Sequence, residues 1–207
     1  MLAPRKKLWS TPPSVISAAS SLLSPFTPTS VVFDVGCGDG RVLIHLCSTA
    51  PPGTTFVGVE IDPGRADEAR ANIAAAGLSD RITVLTENAM LVDYSKATHM
   101  FLYLVPRGLR IFKPVLFACR EGGGAPPLLE VVTYMAGFLD EKAVKKVTVE
   151  VEHQEGAKWP LFLFHFGKQP DVGVDVSAQK RLRVVASMAV GVAAVAVAWT
   201  LLSRRHK

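Results

Sequence analysis

Short apolar runs alternate with amphipathic stretches from residue 31 onward, and this alternation predicts an α/β protein. The runs read as strands because they are short, rich in Val, Leu, Ile and Phe, and bounded by glycine, proline or polar residues. The predicted strands are Val31–Val35, Thr55–Glu60, Arg81–Leu85, His99–Val105, Leu128–Met135, Val144–Glu152 and Trp159–Phe166. Strands that alternate with helices pair in parallel through right-handed crossovers.

Helical spacing fills three of the four gaps between the first five strands. The predicted helices are Arg41–Thr49, Pro63–Ala76 and Arg107–Cys119. Pro63 suits a first helical turn, and Gly77 suits a helix end. Only a turn around Gln154–Lys158 joins the last two strands. The sequence therefore predicts a mixed seven-strand sheet, mostly parallel, with an antiparallel hairpin at one edge.

The first 30 residues are rich in Ser, Pro and Thr and read as a leader. Part of this leader could form a short helix, because apolar residues recur at helical spacing after the candidate cap Ser14. These residues are Val15, Ile16, Ala19, Leu22 and Leu23. The leader has no long apolar stretch of the kind that a secretory signal carries.

A stretch of 19 uncharged residues, Val184–Leu202, lies near the C-terminus with basic residues on both sides. Its length and composition predict a transmembrane helix. A buried core helix is the alternative, but Ala and Val on every side leave no polar face. The predicted organisation is a leader over residues 1–30, a globular domain over 31–168, a basic linker over 169–183 and the membrane helix over 184–202.

The net charge of +5 comes from the two ends of the chain. Residues 31–179 carry 14 basic and 18 acidic residues, a balance of −4. This distribution favours a membrane or targeting role and no nucleic-acid partner. The three cysteines, Cys37, Cys47 and Cys119, have no metal-ligand spacing, so we expect no metal and a reducing, intracellular setting.

A glycine-rich turn between the first strand and the first crossover helix is the main candidate for chemistry. Its residues are Asp34, Gly36, Cys37, Gly38 and Gly40. Glycines let a ligand approach the backbone, and the helix start offers free N–H groups. The spacing is not G-x-G-x-x-G, which disfavours a nicotinamide or flavin dinucleotide.

Glu60 ends the next strand, about 20 residues after the turn. A carboxylate at this position can accept hydrogen bonds from both ribose hydroxyls. Glu60 alone would be interpreted as a solvated carboxylate at the end of a strand. Together with the glycine turn, it indicates a nucleoside-containing ligand.

These residues resemble the class I, seven-strand S-adenosylmethionine (SAM)-dependent methyltransferases, which have a Rossmann-like fold. The resemblance covers roughly Thr11–Phe166 and rests on residues 32–41 (VFDVGCGDGR) and 57–62 (VGVEID). It implies that the glycine turn holds the methionine part of SAM and that Glu60 holds the ribose. It assigns the adenine amino group to Asn88, where this family usually has an acidic residue.

A narrower resemblance rests on residues 11–16 (TPPSVI) and 101–106 (FLYLVP). Both are similar to the small membrane-bound mitochondrial protein-lysine methyltransferases that modify ATP synthase subunit c and the ADP/ATP carrier. The resemblance implies that Thr11 and Pro12 lie over the cofactor and that the segment from Tyr103 to Pro106 lines the site. In that family the membrane segment usually precedes the domain, whereas here it follows.

Tyr103 is the expected residue at the methyl-transfer face, where it could orient a nitrogen or make a cation–π contact. The alternative is a core aromatic of the fourth strand. No residue stands out as a base, and His45, His99, His153 and His165 show no metal-ligand spacing.

Three functions stay open. The first is a protein-lysine methyltransferase at an intracellular, mitochondrial membrane. The second is a small-molecule or lipid methyltransferase, and the third is a non-catalytic adaptor with the same fold.

Overall fold

The computed structural model describes residues 10–121, 128–152 and 156–167. Over these ranges the chain forms helices α1 to α4 and strands β1 to β7. In chain order they are α1 (Pro13–Leu23), β1 (Val31–Val35), α2 (Arg41–Thr49), β2 (Thr55–Glu60), α3 (Pro63–Ala75), β3 (Ile82–Thr86), β4 (His99–Leu102), α4 (Pro106–Glu121), β5 (Leu128–Tyr134), β6 (Lys145–Glu150) and β7 (Lys158–Gly167).

All seven strands join one sheet in the order β3-β2-β1-β4-β5-β7-β6. The first five pair in parallel, whereas β7 runs antiparallel to both β5 and β6. The predicted mixed sheet and its edge hairpin are therefore confirmed. The strand order reverses at β1, and open α/β sheets bind ligands at the carboxyl ends of the strands beside such a switch point.

The middle of the sheet is apolar because helices cover both of its faces. All four residues of β4 are buried, as are the last four of β1, which matches the continuous apolar runs of buried parallel strands. One core cluster includes residues of α1, α2 and α3, and a second includes residues of α4. In contrast, β6 is an edge strand with exposed Lys145, Lys146, Thr148 and Glu150.

The N-terminal helix belongs to the packed domain. Val15 and Ala19 are fully buried in the first core cluster. Pro12 is the residue before the helix, so the prediction that Ser14 caps it is wrong. Ser14 lies in the first turn, where its amide has no partner inside the helix. That amide and the Ser14 hydroxyl both donate to Glu152.

Most predicted boundaries agree with the structure to within two residues. The exception with functional meaning is β4, which ends at Leu102 rather than Val105. Tyr103 therefore lies just beyond the strand, where its side chain is half-buried.

No helix within residues 10–121, 128–152 and 156–167 is long and apolar enough to cross a membrane. The predicted linker over residues 169–183, the predicted membrane helix over 184–202 and His153 lie outside the described residues.

Candidate cofactor and acceptor site

The glycine turn leaves the end of β1 through three residues with positive φ. These angles are +81° at Gly36, +58° at Gly38 and +79° at Gly40, a region that L side chains rarely adopt. The amides of Gly36 and Cys37 both donate to the Val59 carbonyl, at 2.7 and 3.1 Å. The turn is thereby fixed against β2, and α2 begins immediately after it.

Space around the turn is distributed unevenly. A Cβ atom at Gly36 would meet nothing within 4 Å, so the backbone is open to a ligand there. A Cβ at Gly38 would lie 2.5 Å from Nη2 of Arg65. A Cβ at Gly58 of β2 would lie 2.7 Å from Sγ of Cys37. Gly58 thus lets the turn seat on the sheet, a role that only the three-dimensional contact reveals.

Glu60 lies beneath the turn and is only 6% exposed. Its Oε2 accepts from the Gly38 amide at 3.1 Å, and its Oε1 accepts from the Ile61 and Asp62 amides at 2.9 and 3.1 Å. A carboxylate offers about four lone-pair positions, so at least one remains for a ligand hydroxyl. Nη1 of Arg65 lies 3.9 Å from Oε2 and balances part of this charge.

Asp34 is buried at the end of β1, and its Oδ2 has no hydrogen-bond partner among the described residues. Burial, followed by the charges of Glu60 and Asp39, raises the pKa of this carboxyl from 3.8 to about 8. A buried polar oxygen without a partner calls for a missing donor or cation. The ammonium and sulfonium groups of SAM would supply one, so the residues fit this cofactor.

Cys37 is also buried in the turn. Burial is the main cause that raises the pKa of its thiol, and the Asp34 and Glu60 charges act in the same direction. The thiol is therefore protonated, so we interpret Cys37 as a small packing residue of the turn rather than a nucleophile.

Asn88 follows β3 and is exposed. Its Oδ1 accepts from the Met90 amide at 3.0 Å, while its own amide donates to Oε1 of Glu87 at 2.7 Å. The Glu87 amide donates to the Glu60 carbonyl, which ties the ends of β2 and β3 together. Asn88 and Glu60 therefore belong to the same edge of the sheet, as the predicted adenine and ribose contacts require.

Two tyrosines meet at the carboxyl ends of β4 and β5. The ring centroids of Tyr103 and Tyr134 are 4.6 Å apart, with the planes tilted by 56°. The Tyr103 hydroxyl donates to Sδ of Met135 at 3.1 Å. Burial raises the pKa of Tyr103, and burial together with the nearby phenol raises the pKa of Tyr134 to about 12. Both phenols are therefore neutral near pH 7.

Thr11 and Pro12 are buried ahead of α1, whereas Pro106 is exposed as the first residue of α4. Thr11 also lines an open groove of about 560 Å³ between α1 and α2, together with Asp39, Arg41 and His45. This groove does not include Glu60, Asn88 or Tyr103, so it is a separate feature beside the glycine turn.

The remaining histidines lie outside this arrangement. Nε2 of His99 and Nε2 of His165 lie 3.6 and 3.4 Å from the Glu130 carboxylate. Burial lowers the pKa of His99 to about 4, so it is neutral near pH 7. Across the part of the chain that the structure describes, no group of three His, Cys, Asp or Glu side chains could hold a metal ion.

Comparison with protein families gives a match that starts inside the glycine turn. The family described as the ANTKMT methyltransferase domain matches residues 34–124. This range includes the turn, Glu60, Asn88 and Tyr103.

Two curated relatives match parts of the chain. A protein-lysine N-methyltransferase of Saccharolobus islandicus is 37% identical over 86 residues, which cover 42% of this chain and 53% of that protein. A tRNA1(Val) (adenine(37)-N6)-methyltransferase of Yersinia enterocolitica is 26% identical over 98 residues, or 47% of this chain and 38% of that protein. The chain thus spans about half or less of the length of these relatives.

Solved structures match more of the chain. An RNA methyltransferase of Salinibacter ruber, in complex with S-adenosyl-L-homocysteine, is 27% identical with a TM-score of 0.65 over 78% of this chain and 96% of that one. A SAM-dependent O-methyltransferase of Thermotoga maritima shares the fold at 15% identity and a TM-score of 0.58, over 80% of this chain and 69% of that one.

Oδ2 of Asp34, buried and without a hydrogen-bond partner among the described residues, points to a cationic ligand, and the backbone at Gly36 is open to one. The Salinibacter ruber structure holds S-adenosyl-L-homocysteine, which agrees with SAM as the cofactor. The sequence and fold comparisons together support a class I SAM-dependent methyltransferase domain.

Proposed function

We propose that the protein is a protein-lysine N-methyltransferase that acts on a membrane-associated protein. The observation that carries this proposal is the Tyr103–Tyr134 pair at the carboxyl ends of β4 and β5. Aromatic faces attract an ammonium group through their quadrupole, and the attraction is strongest in partly desolvated sites. The 37% identical relative, which is itself a protein-lysine N-methyltransferase, supports the same acceptor.

SAM, when bound, would supply an activated methyl group for the acceptor nitrogen, with its sulfur as the leaving group. The chain's own residues align the two reactants, which is the main source of acceleration in such a displacement. Asp34 would hold the cationic part of the cofactor, Glu60 the ribose and Asn88 the adenine amino group. Tyr103 orients the acceptor nitrogen.

A lysine ammonium must lose a proton before its nitrogen has a lone pair to offer. Desolvation in the half-buried setting of Tyr103 lowers the pKa of the acceptor, whereas attraction of the ammonium to the aromatic faces acts on this pKa in the opposite direction. The released proton passes to water at the open edge of the site. The phenols of Tyr103 and Tyr134 are neutral near pH 7, so neither is a phenolate that could take this proton.

The membrane part of the proposal rests on sequence. The uncharged stretch Val184–Leu202 is long enough to span a bilayer, and basic residues flank it. Such an anchor would confine the domain near membrane-embedded substrates, and we place it in a mitochondrial membrane.

An RNA acceptor is the second candidate, because the Salinibacter ruber RNA methyltransferase matches most of the chain at 27% identity. The charge balance argues against it. Residues 31–179 carry four more acidic than basic residues, whereas RNA-binding surfaces are basic.

The test is methyl transfer from radiolabelled SAM by the full chain in detergent. Acceptors are mitochondrial membrane proteins from cells that lack this protein, total RNA from the same cells, and their extracted lipids. The Gly36→Arg variant is the matched control, because its side chain would enter the open space over the turn at a φ of +81°.

Label recovered as methyl-lysine from a protein band, absent with the variant, is the expected result. Label in RNA or lipid alone would contradict a lysine acceptor, while the assignment of methyltransferase activity would stand. SAM binding without transfer to any of the three fractions would favour the non-catalytic adaptor.

A further inference from the structure

Met135 has a backbone conformation that side chains other than glycine rarely adopt. Its φ is +67°, and within residues 10–121, 128–152 and 156–167 it is the one residue besides glycine with positive φ. The Ala136 amide donates to the Tyr134 carbonyl at 2.9 Å, which closes a γ-turn around Met135. A γ-turn with positive central φ is rare and strained.

The rest of the sheet holds this strained turn in place. The Met135 amide donates to the Pro160 carbonyl of β7 at 2.9 Å. Tyr134, the residue before the turn, pairs with Leu161 in the β5–β7 ladder and is buried. Strained residues that persist in well-fixed surroundings cluster at functional sites.

The turn brings the Met135 side chain to the Tyr103 hydroxyl, with an oxygen-to-sulfur distance of 3.1 Å. A thioether accepts hydrogen bonds weakly and has no proton to donate. The Tyr103 hydroxyl proton is therefore used in the hydrogen bond to sulfur, and the phenol oxygen can only accept hydrogen bonds from the rest of the site.

We propose that Met135 is a positioning residue that holds Tyr103 ready to accept a hydrogen bond from an N–H group of the methyl acceptor. The inference rests on the proposed function in one respect, the placement of Tyr103 at the acceptor. It also defines an acceptor preference: the site favours a nucleophile with an N–H group that can donate to the phenol oxygen, as an aliphatic amine has. Because that N–H points at the phenol, the nitrogen lone pair points away from it.

The residue type at 135 fits this role. Glycine would adopt the turn without strain, and leucine would fill a similar volume, but neither offers an acceptor to the hydroxyl. Without the sulfur, the Tyr103 proton is free to point into the site and compete with the acceptor N–H.

The test follows the methionine methyl groups by NMR in the full chain with S-adenosylhomocysteine present. The chain has five methionines, and loss of a signal in Met135→Leu assigns Met135. Tyr103→Phe should shift that signal because the hydroxyl is gone. Tyr94→Phe is the matched control, since the Tyr94 hydroxyl donates to the Ala89 carbonyl in the other core cluster.

The acceptor probe is n-butylamine, which mimics the end of a lysine side chain, and 9-methyladenine is the comparison. We expect n-butylamine to shift the Met135 signal saturably in the parent. Calorimetric titration, which needs no signal from residue 135, should give an affinity about fivefold lower in Tyr103→Phe and in Met135→Leu, the loss expected for one hydrogen bond. Met100→Leu, a volume-matched change in the second core cluster, should leave the affinity unchanged.

Two results would overturn the inference: n-butylamine that binds equally well with and without the Met135 sulfur, or no saturable shift of Met135 with either probe. A Met135-dependent response to 9-methyladenine and not to n-butylamine would instead keep the positioning role and overturn the lysine acceptor. Failure of the two proposals is thus distinguishable.

Discussion

The Glu152 carboxylate accepts two hydrogen bonds from Ser14, one from its amide at 2.7 Å and one from its hydroxyl at 3.1 Å, across 138 positions of sequence. The helix α1 is therefore capped at its N-terminus by a residue from the far end of the sheet. Thr11 and Pro12, the segment expected to cover the cofactor, come directly before this contact. We expect their position to depend on Glu152.

We predict that Glu152→Ala lowers the free energy of unfolding by about 1 kcal/mol, the usual cost of losing a helix N-cap. It should also speed proteolysis near residues 10–14 and weaken SAM binding if this segment covers the cofactor. Urea denaturation and limited digestion measure these effects. Glu68→Ala, an exposed site on α3, is the control, and equal stability of the two variants would contradict a capping role.

Asp34 should make stability depend on pH. Its pKa is about 8 in the folded protein and near 3.8 when unfolded, so the folded state binds the extra proton between these values. The stabilisation is complete below pH 3.8 and is lost as the pH rises through 8. Asp34→Asn should remove this loss, which urea titrations at pH 6, 7 and 8 would detect as a flatter profile than that of the parent.

The same carboxyl should couple SAM binding to proton release. A cationic ligand favours ionised Asp34, so we expect SAM affinity to increase as the pH rises from 6 to 8. Calorimetry in buffers of different ionisation enthalpy measures the proton released. A proton count that is the same in the parent and in Asp34→Asn would assign the coupling to another group.

Gly58→Ala should disturb the glycine turn without touching a ligand. The added Cβ would lie 2.7 Å from Sγ of Cys37 and 2.8 Å from Cδ1 of Leu43. We therefore expect overpacking to lower the free energy of unfolding by about 1–3 kcal/mol. The double variant with Cys37→Ala should regain part of the loss. Denaturation of the single and double variants checks this, and no recovery would place the strain at Leu43.

Asn88→Asp should strengthen cofactor binding about fivefold, because a charged oxygen is the better acceptor for the adenine amino group. The aspartate oxygen can still accept from the Met90 amide, so the local turn is preserved. Asn88→Ala should weaken binding. Calorimetric titration with SAM separates the three proteins, and the same affinity for all of them would remove Asn88 from the adenine site.

Local patterns predicted the strands well because their apolar runs are buried on both faces. The glycine turn and Glu60 lie together in the structure, since parallel strands bring their carboxyl ends to one edge. The sequence could not reveal the hydrogen bonds between Glu152 and Ser14, because the two residues meet only once the hairpin has folded against α1. Nor could it reveal Met135, whose positive φ is imposed by β7 against the residue's own preference.

The edge strand β6 has a consequence for how the protein meets other chains. Exposed Lys145, Lys146 and Glu150 line the last strand of the sheet, and Nζ of Lys146 lies over the Phe162 ring at 5.3 Å. Charged side chains along an open edge discourage another strand from adding to the ladder and so protect against aggregation. We therefore expect that a peptide does not add to this edge of the sheet as an eighth strand.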